Sequence, residues 1–290
     1  MKNERKRTFL LITIPILALF VCFNTIPLIR GVIYSFTNFK GFGSYDWVGL
    51  RNYIDLFQDP AFHTAFTNTI VWILIHCILH VAMGCLIALL LYKKPRGWKF
   101  IRTAYMVPNI ISNAAMGMIF VNIFNPQFGV VNSILKMVGL EELTHNWLMD
   151  TTTAFPSVTM VWFLFAGYTT TLILAQALSV DESVLEAARV DGATNFQIDI
   201  FIMLPLLKKI IGTTMVMAAT YMLQMFDLIY ITTNGGPGKT TTNLPLLLYG
   251  VFKSENNYGY ANTIGVMIIV LGAIVMVTIN KALKVNEEDY

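Results

Sequence analysis

Charge is what this sequence has least of. Asp, Glu, Lys and Arg together supply 13% of its 290 residues, against about 25% in soluble globular domains. That deficit excludes a chain solvated on all sides. The net charge of +3 is too small to point to a nucleic-acid partner. Cysteine is scarce as well. Cys22, Cys77 and Cys85 fall in apolar runs, without metal-ligand spacing or the look of a disulfide framework, and read as small buried apolar side chains. No P-loop of the form G-x-x-x-x-G-K-[ST] occurs, so nucleotide binding is not encoded. The glycine-rich stretch Gly235–Lys239 has the wrong spacing for one. H-E-x-x-H is missing, and no Ser or Cys has a placed His and acid beside it. There is no repeat of fixed period and no low-complexity segment.

What fills the chain instead is apolar: 56% of residues are hydrophobic. A membrane span needs about 20 predominantly apolar residues, because the backbone must satisfy its own hydrogen bonds in lipid. Six intervals qualify: Thr8–Ile29, Pro60–Tyr92, Thr103–Leu135 (ending near Phe124), Thr151–Val180, Ile210–Gly238 (interrupted by Asp227) and Asn256–Asn280. They are continuous rather than alternating, which argues against a β-barrel. The first follows Lys2, Arg5, Lys6 and Arg7. At 22 residues it suits a retained span better than a signal-peptide core. The expected fold is therefore an all-α membrane domain of six spans.

Basic residues orient it. The N-terminal tail, the 93–102 loop, the 181–209 loop and the C-terminal tail (Lys281, Lys284) hold 14 of the 20 Lys and Arg. That side is expected to be cytoplasmic, with both termini on it. Trp47, Trp98 and Trp147 fall near span ends, where indole rings favour the headgroup level. Asn125-Pro126, Gly129 and the breaker cluster Asn234–Gly238 give the external loops their turns.

One cytoplasmic loop is of mixed polarity. Leu185 to Arg189 are good helix formers, and Asp191-Gly192 breaks the helix. Thr194 or Asn195 can cap a second short helix. Phe196, Ile200 and Met203 then fall at i, i+4 and i+7, which predicts one shared face. Pro205 closes the loop before the fifth span. This code predicts a helix–turn–helix across the membrane surface, with a small Ala187-Ala188 face able to enter a groove and Glu186 and Arg189 able to orient it.

Glu186-Ala187-Ala188-x-x-Asp191-Gly192-Ala193, with Pro205 behind it, resembles the EAA loop of binding-protein-dependent ABC importer permeases. Val48–Tyr53 with Asn68-Thr69, Phe124–Gly129, and Phe226-Asp227 with Gly235–Gly238 resemble the sugar-importer branch, of the maltose and glycerol-phosphate type. The resemblance implies a type I importer transmembrane architecture, with an N-terminal span and external loop over 1–64, the permease domain over 65–281 and a cytoplasmic tail over 282–290. It also implies that the loop is a coupling helix seated in an ATPase cleft. The implied partners are a second homologous permease subunit, two ATPase subunits that hold ATP and Mg, an extracytoplasmic solute-binding protein and the lipid bilayer. The chain itself would bind no cofactor and catalyse nothing. The setting implied is a bacterial or archaeal cell membrane. Asp199 departs from the pattern, where a bulky apolar or aromatic residue is expected.

Polar residues within the spans bear on the solute. Asp227 is the one ionisable residue well inside an apolar run; such groups are costly and point to function. Asn113, Asn122, Tyr168, Gln176, Tyr221 and Gln224 could line a carbohydrate path, although helix–helix hydrogen bonding uses the same residue types. His76 and His80 stand at i, i+4 without a third ligand, which favours a helix–helix hydrogen bond over a metal. Pro15, Pro27, Pro108 and Pro156 mark either bends or helix ends. Permeases for glycerol phosphate or another small polar solute remain alternatives. So does an intramembrane enzyme built on His76, His80 and Asp227.

Overall fold

The computed structural model describes residues 2–283; among them the regular elements are helices, joined by loops, and the one strand-type pairing is an isolated bridge, Thr37 to Trp47. Lys284 and most of the expected 282–290 tail lie outside the described residues. The helices are α1 (Thr13–Tyr34), α2 (Arg51–Gln58), α3 (Pro60–Leu91), α4 (Trp98–Ile110), α5 (Asn113–Ile123), α6 (Val130–Met137), α7 (Ala154–Ala177), α8 (Glu182–Val190), α9 (Asn195–Leu206), α10 (Lys208–Gln224), α11 (Asp227–Thr232), α12 (Leu244–Ser254) and α13 (Tyr258–Leu283).

Four helices, α1, α3, α7 and α13, are long and apolar enough to cross a bilayer unbroken. The bent pairs α4–α5 and α9–α10 bring the number to six. The six-span architecture read from composition is thus present, with shifted boundaries. The first span runs to Tyr34 rather than Ile29, because Gly31–Tyr34 carries the apolar run past the lone Arg30. The third does not run straight from Thr103 to Phe124. It bends by 96° between Ile110 and Asn113. Pro108 lies in the 3-10 turn before the bend, and Ser112 caps the new helix by accepting from Ala115 N–H at 3.3 Å. The fifth ends at Gln224, and Asp227 opens the separate helix α11 instead of interrupting a span. Helix α12 has no counterpart in the six intervals, since Leu244–Tyr249 is apolar but too short to read as a span.

The described residues form two compact units, one of residues 2–62 with 247–269, the other of 63–246 with 270–283. Within the first, Asn52 ties the chain after α1 in place. Its Nδ2 donates to the carbonyls of Ser35 and Thr37, both at 2.9 Å, while Thr263 Oγ1 donates to Ser35 O at 3.1 Å. This gives the Val48–Tyr53 stretch a structural role, since buried carbonyls need such partners.

In the second unit, the later halves of α3 and α7 lie against each other. A Cβ on Gly84 would come within 2.8 Å of Thr169 Cγ2, so the missing side chain sets the approach. Asn68 Nδ2 donates to the carbonyls of Thr240 and Thr242, both at 2.9 Å, and Thr69 Oγ1 accepts Leu244 N–H. In the Phe124–Gly129 stretch, Asn125 Oδ1 accepts Gln127 N–H at 2.9 Å, and a Cβ on Gly129 would meet Asn125 O at 2.3 Å. Buried Asn132 knots the loop beyond α6, accepting from Trp147 Nε1 at 2.7 Å and donating to His145 O at 3.0 Å.

Gly167 offers a packing test. A Cβ there would lie 2.2 Å from the Tyr105 carbonyl oxygen, which cannot swing away as a side chain end could. Gly167→Ala is expected to push α4 off α7 and cost about 1–3 kcal/mol, the range of core overpacking, read as a lower melting temperature in detergent. Gly250→Ala, with nothing within 4 Å, serves as the neutral control.

Candidate functional site

Two features of the second unit carry the chemistry, the 181–207 segment and an intramembrane cavity.

The segment is a pair of helices fixed at every joint. Asp181 caps α8 by accepting Ser183 N–H at 3.0 Å, and that bond holds its carboxyl below the ordinary range. At the other end Gly192 N–H donates to Arg189 O and Ala193 N–H to Ala188 O, at 3.0 and 2.9 Å. These are the paired bonds of a Schellman stop. Gly192 supplies the left-handed φ of +85° on which the stop depends. Thr194, not Asn195, caps α9. Its Oγ1 accepts Gln197 N–H and its own N–H donates to Gln197 Oε1, a capping box.

The face expected of α9 is not the one that forms. Phe196 is 73% exposed while Met203 is fully buried. Residues Asp199–Met203 make a π turn, so positions five apart align. Ile198 and Met203 share a side, with Leu207 four residues on. These three join Leu185 in a core with Ala88 and Leu89 of α3 and Ile173 and Ala177 of α7. Pro205 sits one residue before the end of α9, and a 67° bend leads into α10.

Burial divides the motif residues. Ala188 and Ala193 turn toward the core, so the expected Ala187-Ala188 pair is split. Glu186, Ala187, Arg189, Asp191 and Gly192 are exposed, beside Val190 at 87% and Phe196. The result is a mixed polar and apolar face on a rigid base. Asp199 has a role of its own. Its carboxylate accepts from Tyr92 Oη at 2.7 Å and pairs with Lys93, joining α9 to the end of α3.

The cavity, about 500 Å³, opens among α3, α4, α5, α7, α10 and the start of α11, beside the break in the third span. The structure brings Asn113, Tyr168, Tyr221 and Gln224 together in its wall, with Tyr221 Oη donating to Asn113 Oδ1 at 2.7 Å. Asn122, Gln176 and Asp227 do not line it. Asn122 spends its Nδ2 on Met118 O within α5, and Gln176 and Asp227 are exposed elsewhere. Sequence reading did not single out Trp162, Phe165 and Asn109, which do line it. Their neighbours are all apolar or polar in the same way, so no local signal separates them.

His76 and His80 share the wall. His80 Nδ1 bonds Phe163 O at 2.9 Å, the expected helix–helix link, here between α3 and α7. The His76 ring stacks on Trp162 with centroids 4.8 Å apart and meets His80 edge-on at 4.1 Å. His76 Nδ1 and Trp162 Nε1 are buried behind the surface without hydrogen-bond partners. Among the described residues no third His, Cys, Asp or Glu joins the pair.

Known proteins agree with this architecture. The family of binding-protein-dependent transport system inner membrane components matches residues 80–285. The probable ABC transporter permease protein YurN of Bacillus subtilis (strain 168) is 32% identical over 293 residues, covering 100% of both chains. The multiple sugar-binding transport system permease protein MsmF of Streptococcus mutans is 33% identical over 93% of this chain and 92% of its own. Among solved structures, a chain of a bacterial alginate ABC transporter, in complex with an alginate pentasaccharide-bound periplasmic protein, superposes with a TM-score of 0.83. That match covers 97% of this chain and 96% of that one at 24% identity, a likeness of fold. With more than half its length matched and a full-length relative above 30% identity, this chain belongs to the family of binding-protein-dependent transport system inner membrane components.

Proposed function

We propose that this chain is the permease subunit of an ATP-driven importer for a sugar or sugar-like solute, and that segment 181–207 is where an ATPase subunit acts on it. The exposed motif face carries this reading. Glu186, Ala187, Arg189 and Asp191 stand on helices whose other side is locked to the ends of α3 and α7. A push on that face is delivered to two spans without being absorbed by a slack loop. Movement of α3 and α7 against α10 then changes access to the cavity, a shift between two packed arrangements.

In this reading ATP and Mg belong to two ATPase subunits, a second permease subunit completes the pathway, and an external binding protein delivers solute. Segments 93–102 and 181–207 face the cytoplasm together with both termini. The permease function proper resides in 65–281. The sugar assignment rests on relatives such as MsmF, named for multiple sugar-binding transport.

Reconstitution tests it. The chain is purified with its partner permease and ATPase subunits and placed in proteoliposomes with the binding protein and radiolabelled oligosaccharides. ATP-dependent uptake that vanishes when the ATPase subunits are omitted is expected. Uptake unaffected by that omission, or failure of the ATPase subunits to associate with the chain, overturns the reading.

A further inference from the structure

We infer that the intramembrane cavity is a binding site selective for uncharged sugars, and that it rejects uronates and phosphorylated polyols. This deepens the proposed import function and rests on it.

Charge is the deciding observation. Among the described residues that line the cavity, none is Asp, Glu, Lys or Arg. Asp227, the nearby acid expected in the path, is outside it. An anionic solute would therefore leave water for a wall that, on this chain's side, holds no counter-ion. Transfer of an isolated charge into such surroundings costs several kcal/mol even after relaxation. The two histidines do not supply the missing cation. Each is at least nine-tenths buried, at 6% and 5% exposure. No carboxylate of the wall stands beside either ring to hold an imidazolium.

What the wall does offer suits an uncharged polyol. Asn109, Asn113, Thr220, Tyr221 and Gln224 bring neutral donors and acceptors to one space. Phe165 and Tyr168 add aromatic surface, with Tyr168 46% exposed. Hydroxyl groups can exchange their hydrogen bonds to water for bonds to these side chains, and the apolar face of a sugar ring can lie on the aromatics. A volume of about 500 Å³ is within the usual range for small-molecule sites. Selectivity then follows from a missing charge rather than from any one contact.

The test must bypass the binding protein, whose own selectivity would mask this site. The full membrane complex is placed in nanodiscs without the binding protein, and equilibrium binding of maltotriose and raffinose is measured, with trigalacturonate and glycerol 3-phosphate as competitors. Binding of at least one neutral sugar is expected, weakened about tenfold by Asn113→Leu and by the milder Tyr221→Phe, with no competition from either anion at equal concentration. Gln224→Lys, at an exposed position of the wall, should admit trigalacturonate. Anions that compete as well as neutral sugars overturn the inference. So does neutral-sugar binding that both cavity variants leave unchanged, and so does a complex that binds neither class. A complex that binds neutral sugars at this site yet imports nothing with ATP and binding protein supplied upholds the site and counts against the import function.

Discussion

Gly192→Pro is expected to abolish solute-stimulated ATP hydrolysis and uptake in the reconstituted complex, while the chain still inserts and still binds lipid as wild type. Two losses coincide at this position. Proline fixes φ near −65°, whereas the Schellman stop holds Gly192 at +85°. Proline also removes the N–H that donates to Arg189 O. Loss of both is worth about 3 kcal/mol or more by analogy with proline inside a helix. The hydrophobic core under Leu185 and Ile198 keeps the segment attached, so the damage is to the angle between α8 and α9. Gly192→Asn separates geometry from composition, because Asn tolerates the left-handed region and a Cβ there meets nothing within 4 Å. It should retain most activity. Glu186→Lys reverses charge on the exposed face and should uncouple hydrolysis from solute without changing thermal stability. Wild-type coupling in both Gly192→Pro and Glu186→Lys would remove segment 181–207 as the point of contact.

The parts of this site that the sequence made legible are those written in local chemistry. The Asp191-Gly192 break, the Thr194 cap and the helix of 185–189 each depend on residues within four positions, and each is found. The same holds for the spans, whose apolar runs are long enough to announce themselves. Failure came where a non-local or non-repeating geometry intervened. A period of 3.6 put Phe196, Ile200 and Met203 on one face. The π turn at 199–203 rotates the register and puts Ile198 with Met203 instead, and nothing in Asp-Ile-Phe-Ile-Met signals an inserted residue. Ala187 and Ala188 are alike in sequence, but the packing of α8 on α3 and α7 sends only the second inward. The cavity is less legible still. Its wall draws on six helices and on a 96° bend, so a polar residue such as Asn122, about two and a half turns from Asn113 on the same helix, is of the same type in a different neighbourhood. Asp227 reads as an acid inside a span only while Ile210–Gly238 counts as one apolar run; the structure ends that helix at Gln224 and starts another at Asp227.

Asp199 departs from the family pattern, and its geometry predicts a distinct phenotype. Its carboxylate takes a hydrogen bond from Tyr92 and an ion pair from Lys93, fastening α9 to the end of α3 at the margin of the apolar core, against which the Tyr92 ring packs. Asp199→Ala leaves the core intact but frees both donors. Breaking a partly buried charge-assisted bond costs about 1.5–3 kcal/mol, enough to let α9 rock on α3. The expected result is several-fold less solute imported per ATP hydrolysed, with basal hydrolysis preserved. Asp199→Asn keeps an acceptor for Tyr92 and loses the ion pair, so it should fall between. Tyr92→Phe should resemble Asn, and the double variant Tyr92→Phe with Asp199→Asn should lose less than the sum of the two, since the residues share one bond. Ionic strength gives an independent reading. Lys93 is about one-third exposed, so added salt should weaken the wild-type clasp and lower its transport yield. The Asp199→Ala protein has nothing left there to screen. Equal salt sensitivity in both proteins, with an unchanged ratio of transport to hydrolysis, would show that the core alone carries the movement from loop to span.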